Sequence, residues 1–350
     1  MQKEIRIGKK IVSFNGPTFI VAELSANHKQ DIELAKDTIY AIKESGADAV
    51  KLQTYTPDTI TIDCKNQFFQ ITGGTLWDGR TLYELYQEAY TPWEWHYELK
   101  ELAEKLGLVF FSTPFDKTAV DFLEGLDVPA YKIASYEITD IPLIEYVASK
   151  GKPILISTGV ATLCDIQEAV EACKRVGNDQ MILLKCVSAY PTSLEDVNLK
   201  TIPNMIETFG CIVGLSDHTL GISVPIAAVA LGAKVIEKHF ILSKDLDTPD
   251  KAFSLTPDEF KEMVKAIREV EIALGKVSYE LSDSMKEARK YARSLFVVKD
   301  VKAGEVFTEE NVRSVRPAGG LHPRFLKEVI GKKAKVNIKK GTPLNWNMID

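Results

Sequence analysis

The sequence lacks several features, and each absence excludes a class of protein. Cysteine occurs five times. Cys64, Cys164, Cys173, Cys186 and Cys211 stand singly, with no CxxC pair. That excludes a disulfide framework and a structural zinc cluster, and it fits small buried thiols in a reducing compartment. No apolar run approaches the roughly 20 residues needed to cross a bilayer. The opening Met1-Gln2-Lys3-Glu4-Ile5-Arg6 carries no apolar signal region. Positive charge is not in surplus: 43 Lys and Arg stand against 49 Asp and Glu, a net charge of −6. A broad nucleic-acid surface is therefore not expected. No Gly-rich GxGxxG turn follows the first apolar run, so the fingerprint of a dinucleotide-binding sheet is missing. The expectation is a soluble, cytoplasmic protein with neither nucleic acid nor membrane as partner.

What is present is rhythm. Eight short apolar runs occupy residues 18–25, 48–55, 108–113, 130–135, 153–158, 181–188, 211–218 and 234–241. Each reads as nearly continuous Val, Ile, Leu and Phe, as strands buried on both faces do. Helical spacing separates them. Ile32, Ala35, Ile39 and Ile42 precede a stop at Gly46, and residues 224–231 end at Gly232. The last helix opens with Thr256-Pro257-Asp258-Glu259, a capping box with proline at the first helical position, and stops at Gly275. Eight β/α repeats in this length predict a closed (β/α)₈ TIM barrel over residues 1–275. An open doubly wound sheet is the alternative. Residues 276–290 are polar and read as a partly helical linker. Residues 291–350 read as a small β-rich module, in which Val301-Lys302-Ala303-Gly304 and Ile338-Lys339-Lys340-Gly341 form a weak repeat. A module of this size is near the lower limit for an independent core.

Barrel chemistry gathers at the C-terminal ends of the strands. His218 and His239 close consecutive strand runs joined by a crossover helix, so one metal ion can lie between them. Two imidazoles are too few for a structural zinc site. They suit a divalent ion with open positions for water and substrate oxygens, manganese or magnesium in preference to zinc. Lys51, Lys132, Lys185 and Lys238 lie inside strand runs, where a lysine is costly without an anion. Hydroxyls at neighbouring tips (Ser112, Thr113, Ser135, Ser157, Thr158, Ser188 and Ser216) add neutral donors. This is the chemistry a phosphate and a carboxylate require. Each residue also has a plain reading. A lone Ser caps a helix, a lone Lys pairs with Glu23 or Glu237, and a lone His is a hydrogen-bonded core residue. His96, beside Trp93 and Trp95, reads as packing. The coincidence of so many at one end of eight strands favours a site.

These phrases resemble the sialic-acid-synthase family along essentially the whole chain. They include Ala22-Glu23-Leu24-Ser25-Ala26-Asn27-His28, Lys51-Leu52-Gln53-Thr54, Tyr131-Lys132-Ile133-Ala134-Ser135, Gly214-Leu215-Ser216-Asp217-His218 and Glu237-Lys238-His239-Phe240. Arg316-Pro317-Ala318-Gly319-Gly320-Leu321-His322-Pro323 resembles that family's antifreeze-like (SAF) C-terminal domain. Gly73-Gly74-Thr75-Leu76-Trp77-Asp78-Gly79-Arg80 and Ser188 place the likeness nearest the branch that makes pseudaminic acid. The resemblance implies condensation of phosphoenolpyruvate with an open-chain amino sugar, 2,4-diacetamido-2,4,6-trideoxy-altrose, to give the acid and phosphate. It implies Glu23, His218 and His239 as catalytic residues, the two histidines holding Mn²⁺ or Mg²⁺. It implies Lys51, Thr113, Lys132, Ser135, Ser188 and Ser216 on phosphoenolpyruvate, and Glu137, Tyr190 and Asp250 facing the sugar. Arg316 would reach a partner's barrel in a domain-swapped homodimer. The competing readings are synthesis of N-acetylneuraminate or legionaminate, a metal-dependent pyruvate aldolase, and a catalytically dead barrel that only binds.

Overall fold

All eight apolar runs form strands of one closed, parallel barrel. The computed structural model describes residues 4–350; Met1, Gln2 and Lys3, where the reading of the N-terminus begins, lie outside the described residues. A hairpin comes first, of β1 (Glu4–Ile7) and β2 (Lys10–Ser13). The barrel follows: β3 (Phe19–Glu23), β4 (Ala49–Thr54), β5 (Val109–Pro114), β6 (Tyr131–Ile133), β7 (Ile154–Ser157), β8 (Met181–Lys185), β9 (Ile212–Asp217) and β10 (Val235–His239). β10 closes the circle on β3, pairing His239 with Glu23 and Glu237 with Val21. Helices stand between the strands, and the last, Pro257–Leu274, has its capping box at Thr256 and Glu259 with proline in its first turn.

The strand period of two sorts every barrel residue into one of two cores. Ile20, Ala22, Val50, Leu52, Phe110, Leu183, Val213 and Ile236 face outward and pack beneath the helices. Phe19, Val21, Ala49, Val109, Phe111, Leu155, Leu184, Ile212 and Val235 face inward. The inward set fills the N-terminal half of the barrel, and Ile5, Ile7 and Val12 of the hairpin join it there. The hairpin therefore plugs one end, its tight turn at Gly8 made possible by a left-handed φ of 57°. Further along the same inward rows the residues turn polar: Glu23, Lys51, Thr113, Lys132, Ser157, Ser216 and Glu237, all buried. The wall at this depth is tight. A Cβ on Gly214 would lie 2.5 Å from the Val235 carbonyl oxygen.

The chain divides into two compact units, Met1–Gly275 and Lys276–Asp350. Within the second, β11 (Ser294–Val297) and β12 (Val312–Val315) pair antiparallel. Leu295, Val297, Val301, Phe307, Val312, Val329, Ile338 and Leu344 form a core of its own. The two similar phrases meet there: Val301 and Ile338 exchange backbone hydrogen bonds of 2.9 and 2.8 Å. The polar segment 276–290 carries the short helix Asp283–Arg289. No helix among the described residues is long and apolar enough to cross a membrane.

Candidate active site

Four charged side chains from four strands meet inside the barrel mouth. Lys51 Nζ lies 2.5 Å from Glu23 Oε2 and 3.7 Å from Glu237 Oε1, and it donates to Thr113 Oγ1 at 3.1 Å. Lys132 Nζ lies 3.8 Å from the same Glu237 oxygen and donates to the Ile133 carbonyl at 3.2 Å. Ser216 Oγ donates to Glu237 Oε1 at 3.1 Å. Gln53 Nε2 bridges Glu23 Oε1 at 3.2 Å and Ser25 Oγ at 2.8 Å. The two carboxyls diverge in acidity. Burial raises the pKa of Glu23, and the nearby Glu237 charge adds to the rise against the pull of Lys51. Burial would also raise Glu237, but Lys132 and Lys51 outweigh it and hold Glu237 well below the usual carboxylate range. The lysines diverge as well. Lys51 is raised, because Glu23 and Glu237 outweigh its burial. Lys132 is lowered, because burial exceeds what Glu237 returns. Of the two mouth lysines, Lys132 is the one whose burial its carboxylate neighbour does not offset, which suits it to an external anion.

Beside this network the tips of β6, β7 and β8 form a close cradle. The Gly159 amide donates to Ser135 Oγ at 3.0 Å, and the Ser188 amide donates to the Gly159 carbonyl at 3.3 Å. A Cβ at Gly159 would lie 2.2 Å from Ser188 Oγ and 2.6 Å from Ser135 Oγ, so only glycine fits. The hydroxyls of Ser157 and Ser188 are buried and unpartnered. Lys185 is a correction: it shares the outward row of Leu183 and donates to the Cys186 carbonyl at 2.9 Å, so it is not part of this cradle. Two unpartnered hydroxyls thus lie in one small volume.

The imidazoles of His218 and His239 face each other with ring centroids 5.3 Å apart. His218 Nδ1 lies 3.1 Å from the Val187 carbonyl oxygen, which can only accept. That contact fixes Nδ1 as the protonated nitrogen and leaves the Nε2 lone pair free. Burial lowers the His218 pKa, which favours the neutral ligand form. His239 Nδ1 lies 3.4 Å from Asp250 Oδ2. Burial opposes ionisation of Asp250, yet the contact with His239 outweighs it and draws its pKa down. Among the described residues, no group of three or more His, Cys, Asp or Glu side chains has metal-holding geometry. The residues that could hold an ion here are the two imidazoles, His218 oriented by the Val187 carbonyl and His239 lying near the Asp250 carboxylate. Tyr190 stacks against His218 at 4.5 Å, and Phe253 lies edge-on to both histidines. Glu137 completes this side, its carboxyl pushed up to about 7 by burial.

Of the residues read as candidates, Glu23, Lys51, Thr113, Lys132, Ser135, Glu137, Ser188, Tyr190, Ser216, His218, His239 and Asp250 all belong to the barrel mouth. Arg316 belongs to the second unit and is exposed there. Lys238 is a correction. It points outward, and its ammonium pairs with Asp217 Oδ2 at 2.6 Å with no exposure at all. Its partner is structural, because strand parity places residues 217 and 238 on the helix side of the sheet. His28 and His96 are core residues. His28 contacts Thr91 Oγ1 at 3.1 Å, and His96 contacts Thr54 Oγ1 at 2.8 Å. The sequence reading omits Gln53, Cys186 and Glu237 from the site. All three occupy inward rows, and Cys186 Sγ lies 3.8 Å from His218 Nδ1. Each lies two positions from a candidate, Lys51, Ser188 or His239, a relation that becomes informative once the register fixes which rows face inward.

The geometry accords with what the chain is similar to. It matches the NeuB family over residues 38–279 and the SAF domain over residues 292–350. It is 53% identical to a pseudaminic acid synthase of Helicobacter pylori, covering 95% of this chain and 98% of that one. It is 50% identical to a pseudaminic acid synthase of Campylobacter jejuni subsp. jejuni, covering 93% of this chain and 95% of that one. A crystal structure of an N-acetylneuraminic acid synthetase from Leptospira borgpetersenii, in complex with citrate, superposes with a TM-score of 0.73 at 32% identity, covering 81% of this chain and 94% of that one. The chain belongs to the NeuB family, the sialic-acid-synthase family that its strand-end phrases resemble, and it ends in a SAF domain.

Proposed function

We propose that this protein is a pseudaminic acid synthase. It joins phosphoenolpyruvate to the aldehyde of 2,4-diacetamido-2,4,6-trideoxy-altrose and releases phosphate. The observation that carries the reading is the convergence of an under-compensated Lys132 and the Ser135–Gly159–Ser188 cradle beside two facing imidazoles. A phosphate ester and a carbonyl oxygen are the two groups such neighbours would hold.

Lys132, Ser135, Ser188 and Ser216 bind the phosphate and carboxylate of phosphoenolpyruvate, with Lys51 and Thr113 closing the other side. His218 and His239 would hold Mn²⁺ or Mg²⁺, which when bound would supply Lewis-acid polarisation of the aldehyde. The methylene carbon of phosphoenolpyruvate attacks the aldehyde carbon, forming the new carbon–carbon bond and leaving a cationic centre at the adjacent carbon. Glu23, fixed by Lys51 and Gln53, stabilises that centre or moves a proton as water adds to it. The tetrahedral intermediate then expels phosphate. Asp250 orients His239, while Glu137 and Tyr190 face the sugar. Arg316 acts on the sugar bound in a partner's barrel, within a homodimer.

A phosphate-release assay with phosphoenolpyruvate and three sugars tests the reading: the 2,4-diacetamido-altrose, its legionaminate precursor and N-acetylmannosamine. Turnover of the first by at least tenfold in kcat/KM over the others is expected. Preference for another sugar would move the protein to another branch. Consumption of pyruvate in place of phosphoenolpyruvate, with no phosphate released, would make it an aldolase.

A further inference from the structure

The segment following β4 ends in a loop that the chemistry above does not use. Its neck is an antiparallel bridge between Gln70 and Thr81. The Ile71 amide donates to the Arg80 carbonyl at 2.9 Å, and the Gly79 amide returns to the Ile71 carbonyl at 3.0 Å. Asp78 ties the tip together, accepting from the amides of Gly74 and Thr75 and the hydroxyl of Thr75, each at 2.8 Å. Arg80 anchors the base to Glu88 Oε2 at 2.7 Å. A loop bound this thoroughly to itself holds its one large aromatic side chain in a set place.

That side chain is Trp77. Its ring lies 5.8 Å from Tyr190, whose own ring lies 4.5 Å from His218. A ladder of rings therefore runs from the imidazole pair to this loop. Trp77 also lines a cavity of about 480 Å³ with Leu76, Arg80, Pro249, Lys251 and Ala252. Pro249 and Lys251 flank Asp250, the residue against His239. The indole Nε1 is buried and has no acceptor among the described residues. A buried, unpaired N–H of this kind costs free energy until an acceptor arrives. An apolar ring face with one spare donor is complementary to an amide: methyl against the ring, carbonyl on the N–H.

We infer that Trp77 is a specificity-determining residue, and that the cavity beside it receives the acetamido group the sugar carries at C4. The inference rests on the proposed synthase reading and deepens it. With the aldehyde at the imidazole pair, a sugar extended along the ring ladder would carry its C4 substituent, three carbons further on, towards Trp77. A sugar with a bare hydroxyl at C4 would leave the indole N–H unpaired and the ring face wet. This chain would select diacetamido sugars by that penalty.

The test is a kinetic split in the full-length, metal-loaded protein. W77A and W77F are assayed with the best substrate of the three-sugar panel and with N-acetylmannosamine. W77A should raise the KM for a diacetamido sugar about tenfold or more, leave the KM for phosphoenolpyruvate within a factor of about two, and narrow the preference over N-acetylmannosamine. W77F keeps the ring and removes the donor, so its KM should rise roughly three- to tenfold. Unchanged sugar KM in both variants, with wild-type circular dichroism, would overturn the subsite while leaving the synthase reading intact. A rise in the phosphoenolpyruvate KM as large as that for the sugar would also overturn it, because Trp77 would then be supporting the whole mouth. No turnover of any panel sugar by the wild type would sink the synthase reading and the subsite with it.

Discussion

The two mouth lysines are chemically similar but differently placed, and their variants should separate. Lys51 neutralises two buried carboxyls at 2.5 and 3.7 Å. Lys51→Met leaves Glu23 and Glu237 facing each other without it, a loss of the order of 3–5 kcal/mol for breaking a buried pair. Lys132 has one distant partner at 3.8 Å and a depressed pKa. Lys132→Met should cost clearly less stability than Lys51→Met, since only its contact with Glu237 is lost, while the KM for phosphoenolpyruvate rises at least tenfold. Thermal melts and initial rates on both variants check this. Equal loss of stability in the two would show that Lys132 is a structural lysine after all. The Asp217–Lys238 pair asks a related question. It lies behind the imidazoles, one residue before each histidine, with side-chain exposures of 2% and 0%. It staples the ends of β9 and β10 and so sets the spacing of the two rings. Asp217→Leu combined with Lys238→Met removes both charges together, which buried pairs often tolerate. Stability should be largely kept, while Mn²⁺ affinity measured by calorimetry should fall about tenfold, as when second-shell support is lost. Wild-type affinity in the double variant would mean that the pair serves only the fold.

At the scale of elements, the barrel strands were legible because burial on both faces makes them near-continuous apolar runs. The same property hid their parity. In Val235-Ile236-Glu237-Lys238-His239 the polar residues are adjacent, so the sequence does not say which of Glu237 and Lys238 enters the barrel. Only the register with β3 and β9 decides. The plugging hairpin is not legible in the sequence, because strands of four residues with exposed Glu4, Arg6, Lys9 and Lys10 look like an unstructured terminus. The loop carrying Trp77 is legible as a distinctive phrase, but its contact with Tyr190 spans more than 100 positions and no local pattern announces it. Two core histidines near the mouth carry a pH dependence. His96, on the helix Trp95–Lys105, and His28 are both pushed down to about 4, chiefly by burial. In the unfolded chain each titrates near its ordinary value of 6.5. As pH falls the unfolded state takes up protons first, so stability is intact above about pH 6.5 and is lost progressively towards pH 4. The loss amounts to roughly 3 kcal/mol for each histidine. Urea unfolding at pH 7 and pH 4.5 measures it, and His96→Gln should flatten a substantial part of the slope. A variant as acid-sensitive as the wild type would put the effect elsewhere.

For the whole molecule, the open question is why a barrel that already holds every proposed catalytic residue carries a second unit. That unit has its own apolar core, yet it presents no cluster of buried ionisable groups comparable to the barrel mouth. Its contribution must therefore come from its surface, and Arg316 is an exposed guanidinium in a Pro/Gly-rich turn. A planar fork of donors suits a hydroxyl or an acetamido carbonyl of the sugar. If it acts in a partner's barrel, the two halves of one site lie on different chains and can be damaged separately. Arg316→Ala should raise the sugar KM and spare phosphoenolpyruvate binding. His239→Ala should abolish turnover within its own barrel. Neither variant alone has an intact site. After subunit exchange, a heterodimer holds one site that combines an undamaged barrel with an undamaged arginine, so a mixture should regain part of the wild-type rate. The regained sites should show the wild-type sugar KM, which separates true complementation from residual Arg316→Ala turnover. If mass measurement confirms heterodimers and no activity returns, Arg316 acts within its own chain or does not touch the sugar. If no dimer forms at any concentration where the wild type is active, the shared site is ruled out directly.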